Sequence, residues 1–413
     1  MGNILNLVFD NFKDDGRPLP NLSHLNINAD NMILPFYITV MPPPEIKVNY
    51  CKINEIVMDE IYYYFIHFNE NLYDGTNWEI PLHVENILRT KKNLRVVFYN
   101  EHESFSNPKK YYTELVNTIR YKKLNESFFY LVNNCSELYD LKKEYPSNIN
   151  VFKTNYLVEL LSKYTTVNTN VDDIITEKKF IFLCQNRRPK PHRFTLLTLL
   201  DMKDLLSSPD LIDWSLTYGV TDSYNFNSEN FGGEFLLNDA SFKTSFNNIR
   251  EKKICYHETN NNWFHDEKFF DAYHHITIKT HQESYINIVT ESHFGIDSVH
   301  ITEKSFKPFY YFQLPLFVST SNHVKYLKKE HDLYLFDDII DHSYDNEKDK
   351  FKRLHMIVDE VKRLSKEKEN IKKYYKDNIS KLVHNHEYVK NYKNNKQMDN
   401  FFLSLCNKTK YII

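Results

Sequence analysis

The chain has 413 residues, enough for two or three domains, and its 41% hydrophobic and 26% charged content is typical of a globular protein with a sizeable core. A formal net charge of −3 provides no overall basic field that would attract nucleic acid or anionic membranes. With only 7 glycines, the chain has neither G-x-G-x-x-G nor G-x-x-x-x-G-K-[ST], which excludes the two commonest glycine-rich phosphate sites.

The first half alternates strand-like and helix-like segments. Apolar runs predict strands at residues 34–40, 94–99, 128–132 and 149–152. Helical periodicity predicts helices near residues 110–121, 137–144 and 156–163. Strands separated by helices of this length indicate a parallel, doubly wound sheet. Residues 165–179 are polar and lack an apolar period, so they predict a linker.

The second half repeats the alternation. It predicts strands at residues 180–184, 214–220, 285–290, 299–301 and 333–336, and an irregular stretch at 225–239. Helices are predicted near residues 194–206, 241–252, 266–274 and 324–330, and a long charged helical region at 347–407. In residues 299–320, a strand leads to a helix that starts at Glu303 and Lys304, and then to a second buried strand. Pro308 should kink or break that helix.

Polar residues follow three of the predicted second-half strands. They are Asn186, Arg187 and Arg188 after the first, Glu291 after 285–290, and Glu303 and Lys304 after 299–301. Because ligands bind beyond the carboxyl ends of parallel strands, we expect these groups to meet in one cleft. A helix N-terminus with arginine and lysine side chains suits a diphosphate, and carboxylates accept from sugar hydroxyls.

Each of these features also has a structural explanation. The Arg-Arg-Pro-Lys-Pro run is typical of a solvated loop, and Glu303-Lys304 fits a helix start with an exposed ion pair worth less than about 1 kcal/mol. Coincidence of all three segments at strand ends favours the ligand-binding interpretation.

The motif ITEKSFKPFYYFQLPLFVS resembles the donor-site signature of α1,3-fucosyltransferases. IVTES and FLCQNRRPKPHR resemble the strand before that signature and the start of the family's donor domain. The chain is also similar to virus- and phage-encoded glycosyltransferase-like proteins through three shared motifs. These are N-R-R-P-x-P-H-R, T-E-K-[ST]-[FWY]-K-P and I-D-x-S-Y-D, the last at residues 340–345. The resemblance covers residues 178–365.

This resemblance implies a GT-B architecture, an α/β fold of two Rossmann-like domains facing a cleft. The implied domains are an acceptor domain at 1–170, a nucleotide-sugar domain at 171–360 and C-terminal helices at 361–413. Arg187 or Arg188 and Lys304 would bind the diphosphate, Glu303 the ribose, and Glu291 would lie near the transferred sugar. Asn186 also belongs to the predicted donor-binding residues. Pro308 departs from the family pattern, so GDP-fucose is not assumed as donor.

The sequence predicts no metal site and no cofactor beyond the donor substrate. It has no D-x-D and no H-E-x-x-H, so leaving-group charge should be stabilised by cations and a helix dipole. An inverting transfer needs a base near the acceptor hydroxyl, expected from the first domain. Glu101 and Glu103, which follow the strongest strand there, are the candidates, although a polar loop explains them equally well.

The leading hypothesis is therefore a metal-independent, inverting glycosyltransferase with a nucleoside-diphosphate sugar as donor and a glycan, protein or modified DNA base as acceptor. The mild negative charge counts against DNA. The alternatives are a non-catalytic nucleotide- or glycan-binding protein and a protein that binds single-stranded nucleic acid through aromatic and lysine side chains.

The expected location is the cytoplasm. Five scattered cysteines without C-x-x-C predict free thiols in a reducing compartment. The N-terminus lacks the pattern of a signal peptide, and no run approaches the roughly 20 apolar residues of a membrane helix. The abundance of Tyr, Phe, Asn and Lys fits an AT-rich, viral source, for which the host cytoplasm is expected.

Overall fold

The structure is a computed structural model, and its description covers most of the chain. The described residues are 3–10, 21–22, 45–57, 59–67, 78–100, 107–154, 174, 176–186, 190–208, 210–216, 239–251, 278–296, 298–392 and 397–408. They form two compact units: residues 1–157 with 395–413, and residues 158–394. The four cysteines within the described residues are free thiols.

Unit 1 is built on a seven-stranded sheet in the order β3-β1-β4-β5-β6-β7, with β2 also paired to β4. Every pairing is parallel. The strands are β1 (Asn3–Phe9), β2 (Asn21–Leu22), β3 (Ile46–Lys52), β4 (Tyr62–His67), β5 (Leu94–Asn100), β6 (Phe129–Asn133) and β7 (Asn150–Lys153). β6 is buried along its whole length, as expected for a strand covered on both faces.

The helices of unit 1 come from both ends of the chain. They are α1 (Leu82–Thr90), α2 (Pro108–Tyr121), α3 (Leu138–Glu144) and, at the C-terminus, α12 (Gln397–Lys408). α2 begins at Pro108, where the Asn107 side chain accepts from the Lys110 N–H and caps the helix. α12 packs on the sheet, since the Tyr63 hydroxyl donates to the Leu405 carbonyl at 2.8 Å and Phe401 lies edge-on to Phe152.

Unit 2 has a four-stranded parallel sheet in the order β11-β10-β8-β9. Its strands are β8 (Phe180–Asn186), β9 (Ile212–Leu216), β10 (Ser284–Thr290) and β11 (Leu314–Val318). β9, β10 and β11 are fully buried, so their apolar runs need no alternation.

Eight described helices surround this second sheet. They are α4 (Pro191–Met202), α5 (Ala240–Glu251), α6 (Ile278–Gln282), α7 (Glu303–Tyr310), α8 (His323–Glu330), α9 (Lys350–Ser365), α10 (Lys368–Asp377) and α11 (Ile379–Lys390). Across the described residues, no helix combines the length and apolar character that a membrane crossing requires.

The predicted fold class is confirmed: the protein is α/β, with two Rossmann-like units of parallel strands and helices. The predicted domain limits, 1–170, 171–360 and 361–413, stay predictions. The compact units place the chain from 158 to 394 in unit 2 and return residues 395–413 to unit 1.

Most predicted elements are confirmed within a few residues. These are the strands at 94–99, 128–132, 149–152, 180–184 and 285–290, the buried strand before 320, the helices near 110–121, 137–144, 194–206, 241–252 and 324–330, and the helical region at 347–407. The described part of the strand predicted at 214–220 is the end of β9.

Two predicted strands are wrong. Residues 299–301 pair with no strand, because the next backbone N–H, that of Thr302, donates to the Glu291 carboxylate and not to a sheet neighbour. Residues 333–336 are also not a strand, since the Asn385 side chain takes both backbone bonds of Tyr334. Pro308 lies inside α7, which continues to Tyr310 and does not break at the proline.

Five predictions lie wholly or mostly outside the described residues. They are the strand at 34–40, the helices at 156–163 and 266–274, and most of the linker at 165–179 together with nearly all of the irregular stretch at 225–239.

Candidate functional site

The candidate site lies at the carboxyl end of two neighbouring strands of unit 2. β8 ends at Asn186 and β10 at Thr290, and the Thr290 hydroxyl donates to Asn186 Oδ1 at 2.7 Å. Both side chains are buried. Asn186 therefore joins the ends of the strands from which the loops toward α4 and α7 depart.

Glu291, the next residue, is fully buried and organises the start of α7. Its Oε1 accepts from the Thr302 N–H at 3.2 Å and from the Ser305 hydroxyl. Its Oε2 accepts from the Thr302 hydroxyl at 2.7 Å and from the Ser292 N–H at 3.1 Å. Sugar binding by Glu291 stays a prediction, since these contacts give its carboxylate a structural role in positioning the helix.

α7 begins with a capped N-terminus, as the sequence predicts. The Thr302 hydroxyl accepts from the Lys304 N–H at 3.2 Å, and Glu303 and Lys304 occupy the first turn. Their side chains form an ion pair at 2.8 Å and are 18% and 27% exposed. Although burial favours the neutral acid, the ammonium groups of Lys304 and Lys307 hold the pKa of Glu303 at about 2. Glu303 is thus ionised at neutral pH.

The N-terminus of α4 is attached to the same strand end. The Lys190 ammonium donates to the Ser292 carbonyl at 2.7 Å, and the Arg193 guanidinium donates to the Thr290 and Glu291 carbonyls at 3.0 and 3.2 Å. His192 Nε2 lies 2.9 Å from the Glu291 carbonyl. Burial and the charge of Arg193 hold the pKa of His192 well below its usual range, so His192 is neutral and donates this bond.

Two further histidines, His293 and His300, lie on the segment that connects β10 to α7. Their rings are perpendicular, with centroids 4.7 Å apart. Burial lowers the pKa of each to about 3, and the positive charges of Lys190 and Lys304 act in the same direction on both. The charges of Lys190, the N-cap residue of α4, and of Lys304, in the first turn of α7, therefore both act on one neutral imidazole pair, against the opposing charges of Glu291 and Glu303.

A second layer of hydrogen bonds supports this region. The Ser305 hydroxyl lies 3.0 Å from His323 Nε2, and His323 Nδ1 lies 2.9 Å from the Ser319 hydroxyl. Both oxygens of Asp345, the last residue of the I-D-x-S-Y-D motif, accept from the first N–H groups of α8 at 3.0 Å. The motif therefore caps a helix from a distance in sequence.

The structure brings together four of the predicted site residues: Asn186, Glu291, Glu303 and Lys304. Arg187 and Arg188 lie outside the described residues, and so do Glu101 and Glu103. Sequence reasoning missed His293 and His300, because it tested histidines only for metal spacing. Among the residues described, no group of three or more His, Cys, Asp or Glu is arranged to hold a metal ion.

Neither a protein-family model nor a curated protein matches the chain. One solved structure that it resembles is described as "Trehalose-6-phosphate from E. coli bound with UDP-2-fluoro glucose". That alignment covers 99% of both chains with 10% sequence identity and a TM-score of 0.39. By its own sheets, the chain is a protein of two Rossmann-like α/β units, the second of which carries a cationic sheet edge.

Proposed function

We propose that the protein is a metal-independent glycosyltransferase of GT-B type, which transfers a sugar from a nucleoside-diphosphate sugar to a hydroxyl acceptor, with inversion. The donor domain is unit 2, similar to that of the α1,3-fucosyltransferases. The observation that carries the proposal is that hydrogen bonds tie both lysines to the carboxyl end of β10. Lys190 donates to the Ser292 carbonyl, and Lys304 lies in the first turn of α7, whose cap Thr302 donates to Glu291.

The diphosphate is the part of the donor that this edge suits best. The N-terminus of α7 supplies the positive end of a helix dipole, and Lys304 lies in its first turn. Lys190 adds a second ammonium whose bond to a carbonyl leaves its charge in place. Arg187 and Arg188, which stand between Asn186 and Lys190 in the sequence, are proposed as additional phosphate ligands.

Glu303 is proposed to bind the ribose. Its low pKa keeps it a pure acceptor, which suits a pair of ribose hydroxyl donors. Its bond to Lys304 positions the ammonium beside the diphosphate, so that one ion pair would contact both parts of the donor. Leaving-group charge would then be stabilised by cations and a helix dipole, without a metal ion.

Lys304→Ala tests the proposal. Screening the wild type by thermal shift against UDP, GDP, dTDP and their common sugars identifies the donor, because a bound ligand stabilises only the folded state. Lys304→Ala should then weaken binding roughly 10- to 100-fold, the value of one or two charge-assisted contacts. Isothermal titration calorimetry measures the change.

Lys325→Ala is the matched control, since Lys325 is an exposed lysine in the first turn of α8 in the same unit. It should leave binding unchanged. Stabilisation by no nucleotide in the screen, or equal affinity in Lys304→Ala and the wild type, contradicts the proposal. A protein that binds a nucleotide-sugar but releases no nucleoside diphosphate, whether water, a glycan, a protein or DNA is offered as acceptor, would favour the non-catalytic alternative.

A further inference from the structure

Unit 1 contains a cluster of three polar side chains that the proposed donor site does not use. Asp10 directly follows β1, Tyr64 lies in β4, and His83 is the second residue of α1. Asp10 and His83 are separated by 73 positions in the sequence, yet His83 Nε2 lies 2.8 Å from Asp10 Oδ1.

The cluster sits at a special place in the sheet. β1 is hydrogen-bonded to β3 on one side and to β4 on the other. From β1 the chain first forms the short β2, which pairs with the end of β4, and then crosses to β3 on the other side of β1. From β4 it continues to β5, in the opposite direction. The boundary between β1 and β4 is therefore a topological switch point, where open α/β sheets form ligand crevices beyond the carboxyl ends.

The hydrogen bonds define the protonation of the cluster. The Tyr64 hydroxyl donates to Asp10 Oδ2, and burial, with this bond and the charge of Asp10, raises the pKa of Tyr64. The phenol thus remains a donor and the carboxylate an acceptor. Because a carboxylate oxygen can only accept, the tautomer of His83 that fits this contact donates from Nε2, and in that tautomer Nδ1 carries no proton.

His83 Nδ1 is available to a substrate. Within the described part of the chain, no hydrogen bond to this atom is formed, and the side chain is 48% exposed. Asp10 is 28% exposed, and the buried Tyr64 ring packs edge-on to the imidazole at 6.3 Å. The Asp10 carboxylate holds the imidazole ring, and the Tyr64 phenol holds the carboxylate. A histidine fixed in this way, with one ring nitrogen accessible, has the arrangement of a general base.

We propose that His83 is the general base of the transfer, with Asp10 and Tyr64 as positioning residues, and that unit 1 binds the hydroxyl-bearing acceptor at this switch point. The inference rests on the proposed function and replaces Glu101 and Glu103 in that role. The acceptor hydroxyl gives its proton to Nδ1 while its oxygen bonds to the anomeric carbon. The bond from that carbon to the diphosphate breaks, and the diphosphate leaves with the electron pair. The imidazolium then returns its proton to water.

The test uses the full-length protein with the nucleotide-sugar found by the binding screen and with water as acceptor. His83→Ala and His83→Gln should lower the release of nucleoside diphosphate roughly 10²- to 10⁴-fold, the usual contribution of a general base. Donor affinity and melting temperature should stay at wild-type values. Added imidazole should restore part of the turnover of His83→Ala, which a purely structural role does not explain.

Asp10→Asn tests the positioning role. It should lower kcat with little change in KM, because the imidazole loses the carboxylate that fixes its orientation while the binding of donor and acceptor is unchanged. Asp10 and Tyr64 are the titratable groups that face the imidazole among the described residues. His384→Ala is the control, since it removes another exposed histidine paired with an aspartate, in unit 2.

Turnover by His83→Ala within about twofold of the wild type overturns the inference. So does a loss confined to Glu101→Gln or Glu103→Gln. Both results leave the proposed glycosyltransferase intact, whereas failure of the wild type to bind any nucleotide-sugar removes the proposed function itself.

Discussion

At the residue scale, the buried Glu291 carboxylate determines where α7 begins. Each of its oxygens accepts two hydrogen bonds, and the donors come from Ser292, Thr302 and Ser305. Burial of a charged group is costly unless hydrogen bonds satisfy it, and here four do. The same bonds place Glu303 and Lys304 at the sheet edge. Glu291 itself need not contact the ligand, but it fixes the position of the two side chains that are proposed to bind it.

Glu291→Gln should destabilise unit 2 by about 1–3 kcal/mol, the cost of an unsatisfied buried polar group. Both oxygens of the Glu291 carboxylate accept hydrogen bonds from surrounding donors. In either orientation, the NH2 group of the new glutamine therefore faces donor groups, with which it cannot form the lost bonds. Hydrogen exchange of the β10 amides measures the loss. Glu369→Gln is the control, since that side chain is 84% exposed, and its change should stay within about 0.5 kcal/mol. Equal protection in the two variants would contradict this structural role.

The candidate site was partly predictable from such residues. Glu303 and Lys304 stand in a run that begins with Thr302, a good N-cap, and sequence alone places them in the first turn. The same sequence shows His293 and His300 only as two polar residues of a loop. Their low pKa arises from burial and from Lys190, which belongs to a loop about 100 residues earlier, so no local pattern reveals it.

At the element scale, strands buried on both faces were the easiest to predict. β5, β8 and β10 are continuous apolar runs followed by polar residues, the pattern of a central parallel strand. The prediction failed at residues 333–336, which have the same composition. There the partner of the backbone is the amide of Asn385 on α11, which accepts from the Tyr334 N–H and donates to its carbonyl, both at 2.8 Å. A side chain 51 positions away replaces a neighbouring strand, and the sequence gives no sign of it.

Asn385→Ala should destabilise unit 2 by about 1–3 kcal/mol, because it removes a buried amide and both of its bonds to Tyr334. Asn385→Asp should not rescue the loss, since a carboxylate cannot donate to the Tyr334 carbonyl. Thermal and urea unfolding give the free energies. Asn391→Ala, at an exposed asparagine that follows the same helix, should cost less than about 0.5 kcal/mol. If Asn385→Ala leaves the free energy of unfolding unchanged, water satisfies the Tyr334 backbone groups as well as the Asn385 amide does.

At the scale of the whole molecule, the chain crosses from unit 1 to unit 2 and then returns. α12 contributes Phe401 and Leu405 to unit 1, although 243 residues, from 154 to 396, separate it from β7. That span includes all of unit 2. Among the residues that the structure describes, burial lowers the pKa of six histidines of unit 2, namely His192, His293, His300, His323, His342 and His386.

These six buried histidines predict that unit 2 loses stability in mild acid. The six histidines are neutral when folded and take up protons on unfolding below their ordinary pKa of 6.5. The stabilisation is therefore complete above about pH 6.5 and is lost as pH falls, by up to about 1.4 kcal/mol per pH unit for each histidine. Glu303 adds acid sensitivity only below its ordinary pKa of 4.5, so the range from pH 6.5 to 4.5 isolates the histidines.

Hydrogen exchange of β8 and β10 between pH 7 and 5, corrected for intrinsic rates, measures this dependence. His386→Gln should reduce the slope of the unfolding free energy by up to about 1.4 kcal/mol per pH unit, because one proton fewer is taken up. His386 suits the test since it lies on α11 and its ring donates to the Tyr310 carbonyl at 2.7 Å, a bond that glutamine can also make. His384→Gln, at an exposed position on the same helix, should leave the slope unchanged. A free energy that is flat from pH 7 to 5 would show that the buried imidazoles gain their protons without unfolding.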